Sequence, residues 1–160
     1  MTLFNFTDNS DISNWKIVDD GVMGGKSYGN FALNRDGHGI FTGNISLKNN
    51  GGFSSVHYYF DRLNTKDFSK FIIRIKGDGK PYQFRVKDKQ DTRHSYVYKF
   101  TTTGNWQTVT IPFSEMQPSF RGYKMTIPNF NGAFMEEVAF LIGNKKEEQF
   151  ELLINSITLE

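Results

Sequence analysis

The sequence predicts an all-β protein, and three observations support this fold class. Aromatic residues make up 16% of the 160 residues, with 16 Phe, 7 Tyr and 2 Trp, and such side chains favour the half-buried surface of a pleated sheet. The 15 glycines, together with asparagine and aspartate, recur between the aromatic segments as turn signals. In the centre of the chain, apolar and polar residues alternate with a period of two, as in a strand with one buried face.

About ten strand-like segments separated by turn signals indicate a β-sandwich or barrel. They comprise residues 3–6, 15–18, 29–33, 39–47, 53–60, 71–76, 82–87, 96–100, 106–113, 138–142 and 150–157. The Asp36-Gly37 pair predicts a hairpin between residues 29–33 and 39–47. We also expect residues 71–76 and 82–87 to pair around a turn at 77–81. Residues 116–131 are expected to be irregular.

Length and composition indicate one domain, residues 1–160, and exclude several classes of protein. The chain contains no cysteine, which excludes thiolate chemistry and disulfides and favours the cytoplasm. The N-terminal residues lack the features of a secretory signal or a presequence, and no segment approaches the ~20 apolar residues of a membrane span. The net charge of +2 comes from 19 basic and 17 acidic residues. Because these are interspersed, we expect no nucleic-acid partner.

Two glycine-rich loops stand out because neither suits a regular helix or strand. The first, residues 19–27, contains Gly21, Gly24 and Gly25, and the second contains Gly51 and Gly52. Glycine adopts left-handed backbone conformations that cost other residues about 1–2 kcal/mol. The first loop is one residue shorter than a phosphate-binding loop and no helix is predicted after it, so nucleotide binding is not expected. Its aspartates, Asp19 and Asp20, either fix the turn through backbone hydrogen bonds or act as a general acid and base.

The remaining patterns predict no nucleophile, cofactor or metal. Ser54 and Ser55 lack the Gly-x-Ser-x-Gly pattern of a nucleophile elbow. The three histidines, His38, His57 and His94, are too scattered for a zinc site. A structural calcium ion is an alternative that would use Asp88 and Asp91 as part of its oxygen ligands.

Basic residues alternate with apolar ones in the central segments. If residues 71–76 and 82–87 pair, Arg74 and Arg85 become cross-strand neighbours, and like charges in that arrangement are mildly destabilising. These positions are either a solvated surface or a site for an anionic or hydroxyl-rich partner. In the second case, guanidinium groups beside aromatic side chains such as Tyr98 would hold the partner.

Several ordered motifs from about Trp15 to the C-terminus resemble the complex I intermediate-associated protein family. They are Trp15 with Asp19-Asp20-Gly21-Val22-Met23-Gly24-Gly25-Lys26-Ser27, Phe41-x-Gly43, Asn49-Asn50-Gly51-Gly52-Phe53-x-Ser55, Gly77-Asp78-Gly79-Lys80-x-Tyr82, Trp106-Gln107-x-Val109-x-Ile111-Pro112-Phe113 and Phe120-Arg121-Gly122. The resemblance implies a galactose-binding-like jelly-roll sandwich, the fold of many carbohydrate-binding modules. For mitochondrial members it also implies a chaperone-like role in assembling the membrane arm of NADH:ubiquinone oxidoreductase. The family provides no established catalytic residues.

Two sets of candidate residues follow from this reasoning. Those expected to bind a ligand or partner are Asp20, Met23, Lys26, Ser55, Arg74, Arg85, Tyr98 and Arg121; those expected to shape loops are Asp19, Gly21, Gly24, Gly25, Gly51 and Gly52. The leading hypothesis is a non-catalytic, protein-binding module that acts in the assembly of a respiratory or other multisubunit complex. The alternatives are a glycan-binding module and an enzyme that uses Asp19 or Asp20.

We predict that Gly24→Val or Gly25→Val lowers stability before it changes any binding. A side chain at a left-handed position costs about 1–2 kcal/mol, which a thermal melt detects as a lower melting temperature. A variant that melts like the wild type but no longer binds would show instead that the loop touches the partner.

Overall fold

The computed structural model describes the backbone of residues 1–160 and every side chain except those of Val22 and Met23. Thirteen strands are present: β1 (Thr2–Asn5), β2 (Trp15–Asp19), β3 (Tyr28–Leu33), β4 (Gly39–Ile45), β5 (Ser54–Asn64), β6 (Lys70–Lys76), β7 (Pro81–Lys87), β8 (Ser95–Thr101), β9 (Trp106–Pro112), β10 (Gln117–Phe120), β11 (Tyr123–Lys124), β12 (Phe134–Ile142) and β13 (Glu148–Leu159). The helical segments are short 3-10 turns at Asp20–Met23, Lys48–Asn50 and Phe113–Glu115. Among the described residues, no helix is long and apolar enough to cross a membrane.

The strands form two antiparallel sheets. The six-stranded sheet has the order β3-β4-β13-β6-β9, with β1 also paired to β13, and the seven-stranded sheet has the order β11-β10-β8-β7-β12-β5-β2. The predicted all-β sandwich is therefore confirmed.

Aromatic rings fill the space between the two sheets. Across it, Phe71 of β6 meets Phe84 of β7 edge-on, with 4.8 Å between ring centroids. At one end of the core, Trp15 stacks on Phe31 at 5.0 Å and on Tyr58 at 4.9 Å. Such ring pairs contribute about 0.5–1.5 kcal/mol beyond the burial of their area. The Phe71–Phe84 and Trp15–Phe31 contacts hold the two sheets face to face.

The prediction that residues 71–76 pair with residues 82–87 is wrong. β6 pairs with β13 and β9 in one sheet, whereas β7 pairs with β12 and β8 in the other. The alternation of side chains correctly indicated the buried face of each strand, but it contains no information about which sheet that strand joins. Arg74 and Arg85 consequently lie on opposite outer faces of the sandwich and are not cross-strand neighbours.

The segment between β6 and β7 carries the chain from one sheet to the other. A Cβ atom on Gly77 would clash with the side chain of Thr102, so the backbone passes close to β8 only because residue 77 is glycine. The carboxylate of Asp78 accepts hydrogen bonds from the Tyr82 hydroxyl at 2.9 Å and from the Glu151 N–H at 2.8 Å. These bonds attach the crossing segment to strands of both sheets.

Two turn predictions can be compared directly with the structure. The hairpin predicted at Asp36-Gly37 is confirmed, since β3 and β4 pair from Tyr28 to Leu33. Residues 116–131 are less irregular than predicted, because they contain the short β10–β11 hairpin. Its turn residues, Arg121 and Gly122, have φ values of 50° and 82°, which are characteristic of a two-residue hairpin turn.

Candidate functional site

The carboxylate of Asp20 ties the two glycine-rich loops together. It is 1% exposed and accepts backbone hydrogen bonds from Ser27 at 2.9 Å, Gly52 at 2.6 Å and Phe53 at 3.3 Å. Burial raises the pKa of Asp20, but the hydrogen bonds from Ser27, Gly52 and Phe53 outweigh it, so that the pKa falls below its usual value. Both oxygens of the carboxylate are therefore occupied within the protein.

The glycines around Asp20 leave room for this arrangement. A Cβ atom on Gly25 or Gly51 would clash with the Asp20 carboxylate, and Gly24 has a φ of 89°. Asp19 holds the neighbouring strands in a similar way, since it accepts hydrogen bonds from the Gly29 N–H and the Ser54 hydroxyl. The loop thus packs around its two aspartates.

The remaining candidate side chains do not gather into one pocket. Lys26 is exposed in the first loop, and Gly21 is exposed beside it. Met23 lies outside the described side chains. Arg121 is in the β10–β11 turn, over the ring of Phe120.

Arg74 and Tyr98 occupy two further surfaces. Arg74 donates a hydrogen bond to Thr108 on the outer face of the six-stranded sheet and lies 5.9 Å from the Trp106 ring. Tyr98 lines a cleft of about 510 Å³ at the open edge of the sandwich, together with residues of β9.

The outer face of the seven-stranded sheet contains a strip of mostly polar side chains that we call the recessed face: Ser55, His57, Tyr59, Gln83, Arg85, Ser95, Val97, Lys99, Glu137, Ala139 and Leu141. They alternate with the core residues of β5, β7, β8 and β12. Although they point away from the core, Ala139 is 1% exposed and Glu137 4% exposed. The larger side chains of the neighbouring strands therefore cover Ala139 and Glu137, which lie low in the centre of the face.

A chain of hydrogen bonds crosses the recessed face. Ser55 Oγ lies 2.9 Å from His57 Nε2, and His57 Nδ1 lies 3.0 Å from Glu137 Oε2. The order of these groups is that of a serine hydrolase triad, but their geometry does not suit attack by the serine. Ser55 is 1% exposed and donates its only hydroxyl proton to the Val18 carbonyl at 2.6 Å. Because Ser55 Oγ can then only accept a bond from His57, the imidazole is not placed to remove its proton.

Arg85 is a charged residue of the recessed face whose guanidinium lacks a hydrogen-bond acceptor at Nε in the described part of the chain. It lies opposite Ala139 on one side and Val97 on the other. Its Nε atom is buried without a hydrogen-bond partner among the described residues, and the ion pairs found among them do not include Arg85. Burial lowers the pKa of the guanidinium, while the nearby Glu137 carboxylate opposes that shift. Arginine nevertheless stays charged, so a cation is held here without an acceptor for Nε.

A cleft of about 470 Å³ opens on the same face, at the end of β7. Its lining includes Gln83, Lys99, Lys145 and Lys146. Gln83 is two residues from Arg85 on the same strand, and their side chains share the outer face. The cleft and the arginine therefore lie close together on the same face, and both carry positive charge.

Sequence reasoning missed two residues of this face, His57 and Glu137. His57 could have been found, because Ser55, His57 and Tyr59 alternate along a predicted strand and therefore share one face. No local pattern indicated Glu137, which is 80 residues from His57 in the chain. Among the described residues, no group of three or more His, Cys, Asp or Glu side chains is placed to hold a metal ion.

Comparison with known proteins confirms the family resemblance. The family model for complex I intermediate-associated protein 30 matches residues 4–154. A relative from Schizosaccharomyces pombe, an uncharacterised protein, is 29% identical over 180 residues, which cover 98% of this chain and 82% of the relative.

Solved structures confirm the jelly-roll fold. The family 11 carbohydrate-binding module of the cellulosomal cellulase Lic26A-Cel5E from Clostridium thermocellum has a TM-score of 0.70 at 18% identity, covering 98% of this chain and 92% of the module. The family 11 module solved with a β-1,3-1,4-mixed-linked tetrasaccharide has a TM-score of 0.69 at 17% identity, with coverages of 97% and 93%. At this level of identity, the similarity establishes a common fold.

We predict that Asp20→Asn lowers the free energy of unfolding by about 1–3 kcal/mol, because an amide cannot replace both oxygens as acceptors for buried N–H groups. Urea unfolding at pH 7 measures the loss. Since the folded-state pKa is lowered, the carboxylate stabilises the protein fully above its unfolded pKa of about 3.9, and that contribution is lost as pH falls through the folded value.

The difference between wild type and Asp20→Asn should accordingly shrink in acid. Asp36→Asn, at an exposed turn position, serves as the control and should change stability little at either pH. An Asp20 variant as stable as the control at pH 7 would contradict the anchoring role.

We predict that Arg85→Met leaves the free energy of unfolding unchanged or raises it by about 1 kcal/mol, because the change removes a buried charge that lacks an acceptor. Chemical denaturation measures the difference. Arg74→Met removes an exposed guanidinium from the opposite sheet and serves as the comparison. A marked loss of stability in Arg85→Met alone would show that intramolecular contacts satisfy the guanidinium.

Proposed function

The chain belongs to the complex I intermediate-associated protein 30 family, and from this premise we propose that it is a non-catalytic binding domain whose partner is a protein. Its proposed role is chaperone-like, in the assembly of a multisubunit respiratory complex. The observation that carries the proposal is the family match over residues 4–154, which spans both sheets and every loop between them.

The distribution of the candidate side chains supports recognition of a large partner. Arg74, Tyr98 and Arg85 lie on three different surfaces, and the glycine-rich loops pack around their own aspartates. A small ligand is typically enclosed by convergent side chains in one pocket. A protein partner can instead use a broad, shallow surface such as the recessed face.

The absence of catalysis is part of the proposal. The two carboxylate oxygens of Asp20 accept hydrogen bonds from three backbone N–H groups. Neither oxygen is therefore free to act as a general acid or base. Ser55 is buried and donates its proton to Val18. In both residues, the polar atoms form hydrogen bonds that stabilise the fold.

Two further statements belong to the proposal. We place residues 1–160 in one domain, because the two sheets share a continuous core that includes residues from Phe6 to Leu159. We place the protein in the cytoplasm, because a cysteine-free chain suits a reducing compartment.

Glycan binding is the second candidate function. Its specific support is the similarity to carbohydrate-binding modules, together with the recessed face, whose polar side chains would suit hydroxyl groups. Calorimetric titration with the mixed-linked tetrasaccharide tests it directly. Saturable binding that Arg85→Met or His57→Gln weakens would favour this function over a protein partner.

The assembly role is tested by deleting the gene and by affinity capture of the tagged protein from its own cells. We expect capture of subunits or assembly factors of a respiratory complex, and slower assembly of complex I in the deletion strain. Unchanged complex I assembly and activity, with no captured respiratory protein, would contradict the proposal.

A further inference from the structure

We propose that Arg85 and the adjoining lysine-lined cleft form a binding site for an acidic peptide segment of a protein partner. We call this surface, composed of Arg85, Gln83, Lys99, Lys145 and Lys146, the Arg85 site. The inference rests on the proposed function, since it specifies the chemistry of the protein partner.

The first argument is the unsatisfied guanidinium. Arg85 is largely buried, and its Nε has no acceptor among the described residues. A buried charge without hydrogen bonds is destabilising, whereas a bound carboxylate would accept two parallel N–H bonds from a guanidinium. Because Nε is buried, an external carboxylate would bind the two terminal nitrogens of the guanidinium, which form none of the ion pairs found among the described residues.

The second argument is the local balance of charge. Glu137, whose carboxylate acts on the charge of Arg85, is already engaged by His57 at 3.0 Å. Lys87 directs its ammonium to the Thr92 carbonyl, and Lys146 lies 3.9 Å from Glu148. Arg85, Lys99 and Lys145 leave this end of the face with excess positive charge, which attracts an anionic ligand.

The third argument concerns the kind of anion. Sugars in protein sites commonly stack on exposed aromatic rings, but the aromatic side chain of the recessed face, Tyr59, is partly buried beside His57, with 5.9 Å between ring centroids. Tyr123, which is 78% exposed, is on β11, three strands away from Arg85. A carboxylate needs no such platform, so the surface suits an acidic peptide better than a glycan.

The dimensions suit a short, extended segment. Gln83 and Arg85 are separated by about 7 Å along β7, and the lysine-lined cleft begins at Gln83. A peptide with carboxylates on neighbouring residues would place one on Arg85 and others near Lys99 and Lys145.

The probe is an acetylated and amidated hexaglutamate peptide, with hexaglutamine as the uncharged control. Amide chemical shifts recorded during titration of the folded protein locate the contact, and fluorescence anisotropy of a labelled peptide gives the affinity. We expect shifts centred on residues 83–87 and 97–99, no binding of hexaglutamine, and at least tenfold weaker binding by Arg85→Met. Arg85→Lys should bind more weakly than the wild type, because an ammonium lacks the bidentate fork.

Arg35→Met is the charge-matched control, since Arg35 is exposed in the β3–β4 turn of the other sheet. We expect it to bind within twofold of the wild type. Equal weakening by Arg85→Met and Arg35→Met, or shifts that map elsewhere, would overturn the site. Tenfold tighter binding of hexagalacturonate or of a phosphoserine peptide at Arg85 would overturn the peptide carboxylate as its ligand.

Capture experiments separate this inference from the proposed function. If the wild type and Arg85→Met recover the same respiratory proteins in equal amounts, the Arg85 site is wrong and the protein-binding function stands. If neither recovers such a protein while hexaglutamate binds as expected, the assembly role fails and the acidic-peptide site stands.

Discussion

The contact between aromatic rings of the two sheets is the constraint on which the rest of the molecule depends. Phe71 and Phe84 are close in the chain and meet edge-on across the core, which requires β6 and β7 to belong to different sheets. The polar residues that alternate with the core residues of β6 then face solvent on one side of the sandwich. The polar residues that alternate with the core residues of β7 face solvent on the opposite side. The two outer surfaces are therefore chemically independent, even though consecutive strands supply them.

Patterns within a short stretch of sequence predicted the features of the fold that neighbouring residues determine, namely the buried face of a strand and the position of a turn. The period-two alternation identified Phe71, Ile73 and Ile75 as buried, and all three are 0% exposed. Asp36-Gly37 specified a hairpin because such a pair itself adopts the turn conformation. Sheet membership was not predictable in this way, because a strand shows the same alternation whichever partners it has.

The same distinction applies to the candidate site. The glycines around Asp20 indicated a turn-forming aspartate as one alternative, yet its bonds to Gly52 and Phe53 depend on a loop about thirty residues away. Glu137 joins His57 only because β12 lies beside β5. Arg85 was identified for a pairing that does not exist, and what distinguishes it is burial without an acceptor, which only the packed structure reveals.

One edge of the seven-stranded sheet restricts how a partner can approach. β11, which ends that sheet, is only two residues long, and β10 beside it has four residues. This edge offers few backbone donors and acceptors in a row, so it is a poor template for an added strand from another chain. Recognition at this position would have to rely on side chains. Selectivity would then follow their charge and shape, and the short edge would discourage copies of the chain from pairing with each other there.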